Sequence, residues 1–239
     1  MPTATIENDF GGRIIKTVIV SGGFSWVSAV RNATTGTSLS NYTSNTSVGE
    51  AIRVQMILSR GGSSGNCNRF FLFFDTSSVA GTITACDLKV LGYLNSGANV
   101  IPVESTAYGG NGSSSSLVLS DYSNLDFSTP YASSTTSWST SGYNTFSLNA
   151  TAISDMNTNS YLNVVLIDEE YDYSGTNPSS GTDYSSGIEI LDTTNPIILD
   201  ITYTPTATGY ANIVNGVASA NIGEVLAVST NDINKVIGV

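Results

Sequence analysis

The residues best suited to chemistry lie in one polar stretch, 168–187 (DEEYDYSGTNPSSGTDYSSG). Asp168, Glu169, Glu170, Asp172 and Asp183 concentrate carboxylates there. With loop carbonyls, such a set suits Ca²⁺, which takes six to eight oxygen ligands. Asp168, Glu170, Asp172 and Asp183 are the candidate calcium ligands. The run is not an EF-hand, because no D-x-[DN]-x-[DN]-G segment closes on a Glu. A solvated acidic loop or a polar contact between subunits explains the same composition. Tyr171, Tyr173 and Tyr184 in this stretch, with Trp138 from a Ser/Thr-rich segment, are the candidate glycan-binding residues. Their rings would stack on sugar faces while Asp and Asn side chains bond the hydroxyls. The same rings also suit packing over a sheet edge or into a neighbouring subunit. Trp26 reads as core and Trp138 as exposed.

Catalysis finds little support. The chain has no histidine, which removes the commonest general base, the Ser–His and Cys–His pairs, and the usual zinc ligand. Carboxylate pairs of the glycosidase kind are available only because Asp and Glu are numerous. The chain therefore reads as non-enzymatic, with no cofactor beyond the calcium considered above. A net charge of −11 argues against nucleic acid as a partner. No apolar run approaches the ~18 residues of a membrane span. The opening MPTATIENDFGGR lacks a basic segment followed by an apolar one, so no signal peptide is expected.

The elements that must position the polar stretch read as strands. Residues 69–94 (RFFLFFDTSSVAGTITACDLKVLGYL) are the organising pair. Phe70, Leu72 and Phe74 point one way and Phe71 and Phe73 the other, so the first strand is buried on both faces. In the second, Cys86, Leu88 and Val90 share a face while Asp87 and Lys89 point out. Ser77, Ser78 and Gly81 supply a turn between them. As a hairpin, this pair would set Cys67 roughly opposite Cys86, where either a disulfide or two buried thiols would fit. Residues 14–20, 51–58, 162–167, 188–191 and 197–203 carry further β-branched or alternating patterns. Residues 24–30 alternate loosely. Asn149 suits the cap of a helical turn reaching Met156. Residues 109–116 (GGNGSSSS) read as a flexible loop. About ten strands with little helix predict an all-β fold, a jelly-roll β-sandwich over 14–205.

Residues 1–13 read as an N-terminal arm or an edge strand. Beyond 205 the character changes: Val214, Val225 and Val236 recur every 11 residues, as do Val217 and Val228, and Ile222 and Ile233. This short repeat over 206–239 has an apolar stripe too small to bury itself, so it reads as an assembly tail.

Two motifs carry a family resemblance. Phe74-Asp75-Thr76-Ser77-Ser78 is followed by Ile83-Thr84-Ala85-Cys86-Asp87-Leu88, and Asn195-Pro196 opens an alternating strand closing in Ile201-Thr202-Tyr203. Over residues 18–203 the chain resembles the carbohydrate-binding-module-like jelly-roll family often called DNRLRE domains. The loop Glu170-Tyr171-Asp172-Tyr173 and the tail segments Ala211-Asn212-Ile213-Val214-Asn215-Gly216-Val217 and Ala220-Asn221-Ile222-Gly223 resemble parts of tailed-phage virion proteins. The resemblance implies a virion structural protein, in capsid decoration, tail or fibre, assembled in the host cytoplasm with itself and other virion proteins. A glycan-binding adhesin or receptor-binding module is the alternative it implies.

Overall fold

The computed structural model describes residues 1–42, 48–59, 62–135, 137–190, 196–206, 224–225 and 228–229. The fold is all-β and antiparallel, a sandwich as the alternation of its strands requires. In chain order the strands are β1 (Thr3–Glu7), β2 (Phe10–Val20), β3 (Ser38–Tyr42), β4 (Val48–Ser59), β5 (Gly62–Asp75) and β6 (Gly81–Asn95). They continue with β7 (Val100–Ser105), β8 (Leu125–Pro130), β9 (Tyr143–Ser147), β10 (Tyr161–Asp168), β11 (Thr182–Ile190) and β12 (Ile198–Pro205). A single helix of more than one turn among the described residues, α1 (Ala150–Asn159), precedes β10. Asn149 caps it by accepting from the amides of Thr151 and Ala152, as its position before the helix suggested.

Hydrogen bonding runs in one path, β1-β12-β6-β11-β4-β5-β10-β7-β8, with β2 on the other edge of β5, β3 on β2 and β9 on β6. β2 follows β5 from Phe10↔Phe73 to Val20↔Ser63. The opposite edge of β5 is divided: β10 pairs with Phe70–Asp75 and β4 with Gly62–Asn68. The partner changes at Arg69.

This topology corrects the expected hairpin. β5 and β6 are consecutive but not paired; β11 and β4 stand between them in the strand order, and the turn at Thr76–Ala80 carries the chain from one layer of the sandwich to the other. Cys67 and Cys86 accordingly sit in different apolar clusters, both free and buried, and form no disulfide. Of the two readings of residues 1–13, the edge strand holds and the free arm does not: β1 ends the strand order beside β12, and β2 begins at Phe10. Residues 24–30 are not a strand either. Val27–Arg31 forms a short helical turn that seats Val30 beside the fully buried Trp26.

The main core lies between the sheets, with Phe70, Leu72, Phe74, Val164 and Leu166 against Leu88, Val90, Leu199 and Ile201. A second cluster covers the outer face of β5 and β10. Phe71, Phe73, Val165 and Ile167 pack there under Tyr108, Leu117 and Tyr122. The two-faced burial read from RFFLFF is thus realised, one face under a sheet and the other under a long connection. Residues 109–116 belong to that connection. Gly112 takes φ +75°, and a Cβ there would stand 2.4 Å from the Phe73 ring, so the turn rests directly on the aromatic surface.

The two-residue strands Glu224–Val225 and Val228–Ser229 pair antiparallel, with Val225 opposite Val228. The remaining repeat positions, Val214, Val217, Ile222, Ile233 and Val236, lie outside the described residues.

Candidate functional site

The acidic stretch folds into a short helical turn, Glu169–Tyr173, followed by an irregular connection into β11. Its carboxylates are separated rather than gathered. Asp168 is buried at the end of β10 and accepts from the Tyr171 amide at 2.8 Å. Burial pushes its carboxyl up to about 7, and the nearby Asp172 and Glu170 charges add to the rise. Glu170 is exposed. Asp172 turns inward and takes a bidentate contact from Arg69, at 2.8 and 2.6 Å, with both side chains fully buried. Asp183 stands on β11 and is held by Arg53 at 2.9 Å through both oxygens. Among the described residues no group of three acidic, cysteine or histidine side chains converges on a cation position. The structure therefore does not bring the four expected calcium ligands together. Arginines and a backbone amide satisfy three of them separately.

The aromatic set is also divided. Trp138 is buried, not exposed: its indole donates to the Gly187 carbonyl at 2.9 Å and its ring packs against Phe146. Tyr171 is buried and stacks on Tyr184, with centroids 5.9 Å apart. Tyr173 packs against the outer cluster. Only Tyr184 of the four is exposed, at 40 %. Tyr171 and Tyr184 brace this corner of the sandwich, Trp138 and Tyr173 belong to other clusters, and the four do not form one open ring face.

Sequence reasoning passed over Arg69, which organises this corner. Its Nη1 donates to the Tyr122 carbonyl and its Nη2 to the Arg31 carbonyl. The guanidinium lies over the Tyr122 ring at 3.9 Å. Arg31 in turn donates to the carbonyls of Asp172 and Tyr173 and covers Phe127 at 3.7 Å. The available signal was one arginine at the head of the apolar run Phe70–Phe74, alternating with Cys67 and Phe71.

The face that remains open lies on β2, the first half of β5 and the adjoining part of β4. Ile19 and Ile57 are both in register with Ser64, so they point to the same side with one strand between them. They are 79 % and 45 % exposed. The neighbouring row on this face, Thr17, Asn66, Gln55 and Asp183, is polar. Asp183 is neutralised by Arg53, and Gln55 also donates to it at 3.1 Å. Asn66 Oδ1 on this row and Asn68 Oδ1 on the next one are buried without a hydrogen-bond partner. The face offers apolar area and paired charge to a second surface.

No helix among the described residues is long and apolar enough to cross a membrane. No model of a known protein family matches the chain, and no curated protein matches it.

Proposed function

We propose that the chain is a structural module that acts by self-assembly, a jelly-roll-type component of a virion, as the resemblance of its acidic-aromatic loop and tail segments to tailed-phage virion proteins implies. The observation that supports this most is the Ile19–Ser64–Ile57 row on the open β2–β5–β4 face. Large aliphatic side chains standing free on a paired, charge-balanced sheet mark an association surface. The chain carries a net charge of −11, so like copies repel over most of their surface. This face, with Asp183 tied to Arg53, is one on which two copies approach at little electrostatic cost. Because β1 is a paired strand, the segment left to link copies beyond this face is the tail, residues 207–239. The reading assigns no catalytic step and no nucleic-acid partner.

The test is the assembly state of the full chain by sedimentation velocity, beside Ile19→Asp with Ile57→Asp and beside a chain ending at residue 206. Discrete oligomers that dissociate in the double variant, with an unchanged circular dichroism spectrum, support the face. A strictly monomeric parent chain at every concentration sinks the proposal. Oligomers lost only on truncation would assign assembly to the tail alone.

A further inference from the structure

The open face ends at a strand edge that lacks a neighbour. β2 has β5 on one side from Phe10 to Val20, but β3 covers the other side only from Gly11 to Ile15. Thr37 extends that cover a little: its amide donates to the Ile15 carbonyl at 2.7 Å, and its hydroxyl accepts from the Thr17 amide at 3.0 Å. These contacts fix the direction of the backbone groups along β2. Those of residues 15 and 17 point away from β5, and the direction alternates along a strand, so those of Ile19 point away from β5 as well. Among the described residues nothing bonds the Ile19 N–H, the Ile19 carbonyl or the Thr17 carbonyl.

An unpaired edge is a template for a further strand. Two other edges are blunted against this, β1 by Glu7 and β8 by Asp126 and Pro130. Thr17, Val18, Ile19 and Val20 carry no charge and no proline, and all four are β-branched. The edge is also self-complementary. When two copies meet about a two-fold axis with Ile19 opposite Ile19, each gives its N–H to the other's carbonyl, and Thr17 keeps its bond to Thr37. The two Ile19 side chains then lie next to each other on one face, and the Ile57–Ser64–Ile19 row of one copy continues into that of the other. Lys16 falls opposite Gly22 in this register, so no like charges meet across the seam. The described strands of the tail are two residues long and already paired with each other, too short to fill the edge.

We propose that two copies of the chain join edge to edge through β2, in an antiparallel pair centred on Ile19 that makes one continuous sheet across both. The inference rests on the self-assembly reading and adds a contact to it: side-by-side pairing doubles the aliphatic row that the open face offers to further copies. The test is cross-linking of the full-length Ile19→Cys chain with a short bis-maleimide, alone and combined with Ile57→Asp. The native Cys67 and Cys86 are buried. Residues directly opposite in such a pair have Cα atoms about 5.5 Å apart, within reach of the linker. Covalent dimers are expected in both chains, because Ile57 lies two strands from the seam. In the parent chain the Ile19 amide should exchange with solvent freely in the diluted monomer and be protected in the oligomer. A parent that associates while Ile19→Cys gives no covalent dimer, or while the Ile19 amide stays unprotected, overturns the edge pairing and leaves the face intact as the contact. Loss of the cross-link on adding Ile57→Asp would mean that the Ile19 side chains meet by stacking of faces. Its loss in an Ile19→Cys chain ending at residue 206 would give the edge to the tail. A parent that is monomeric at every concentration removes this pairing together with the self-assembly reading.

Discussion

Phe70, Leu72 and Phe74 on the inner face of β5 meet a second sheet, whereas Cys67, Arg69, Phe71 and Phe73 on its outer face meet irregular chain. The inner cover arrives with its backbone already paired in the β6–β12 ladder, so it demands only apolar packing. The outer cover is made of helical turns and loops, whose carbonyls have no ladder to join. Arg69 and Arg31 supply the missing donors, meeting the carbonyls of Tyr122, Arg31, Asp172 and Tyr173. A buried guanidinium is costly without a counter-charge, and Asp172 provides it. One strand thus shows two solutions to covering apolar surface. A sheet needs shape, and a loop needs shape and a polar lock.

The largest test of this contrast is Asp172→Ala. It leaves Arg69 charged and buried, so it should cost about 3–5 kcal/mol in urea unfolding. A loss under about 1 kcal/mol would mean that the outer layer does not depend on the ion pair. On the inner face Leu72→Ala removes only packing and should cost about 3 kcal/mol. Equilibrium unfolding should show it as a lowered midpoint with an unchanged denaturant slope.

The next effect is a matter of pH. Asp168 titrates near 7 in the fold, against about 4 for an unfolded carboxyl. Between those values the folded state holds the extra proton, so this group's contribution to stability falls as pH rises through the window and levels off above it. Asp168→Asn keeps an acceptor for the Tyr171 amide and removes the charge. It should be more stable than the parent by about 4 kcal/mol at pH 8 and close to it at pH 4. Thermal melts at the two pH values read the difference. The smallest effect should come from Arg53→Ala. Its bidentate partner Asp183 is exposed, so under about 1 kcal/mol should be lost, despite geometry as regular as that of the buried pair.

The strands that bury apolar alternation were legible: the two faces of β5, the Ile52–Val54–Met56 side of β4 and the continuous run in β10 all follow from side-chain period. The Asn149 cap was legible because its signal is local. Strand pairing was not. Ser77 and Ser78 announce a change of direction, but a turn that crosses between sheets uses the same residues as one that closes a hairpin. Trp138 illustrates a second limit. Its Ser/Thr neighbours suggest exposure, and the acceptor that buries its indole, the Gly187 carbonyl, is distant in the chain. The dispersal of the acidic stretch has the same origin. Asp172 and Asp183 look alike in sequence, yet the arginines that claim them, Arg69 and Arg53, belong to different strands far upstream. The stacking of Phe10 and Tyr161 on Phe73 also joins three separate segments, and no local pattern reports it.

The β1–β12 pair sets a timetable for synthesis. Thr5 bonds Asp200 across a separation of 195 residues, and β12 is also a partner of β6. As the chain leaves the ribosome, β1 and one edge of β6 must wait for almost the whole body to be made. Until β12 emerges, Ile83, Cys86 and Leu88 have only part of their final cover. Completion depends on contacts of very long range, which places this fold among the slow ones and makes the nascent, unclosed edge its period of greatest exposure to misassembly.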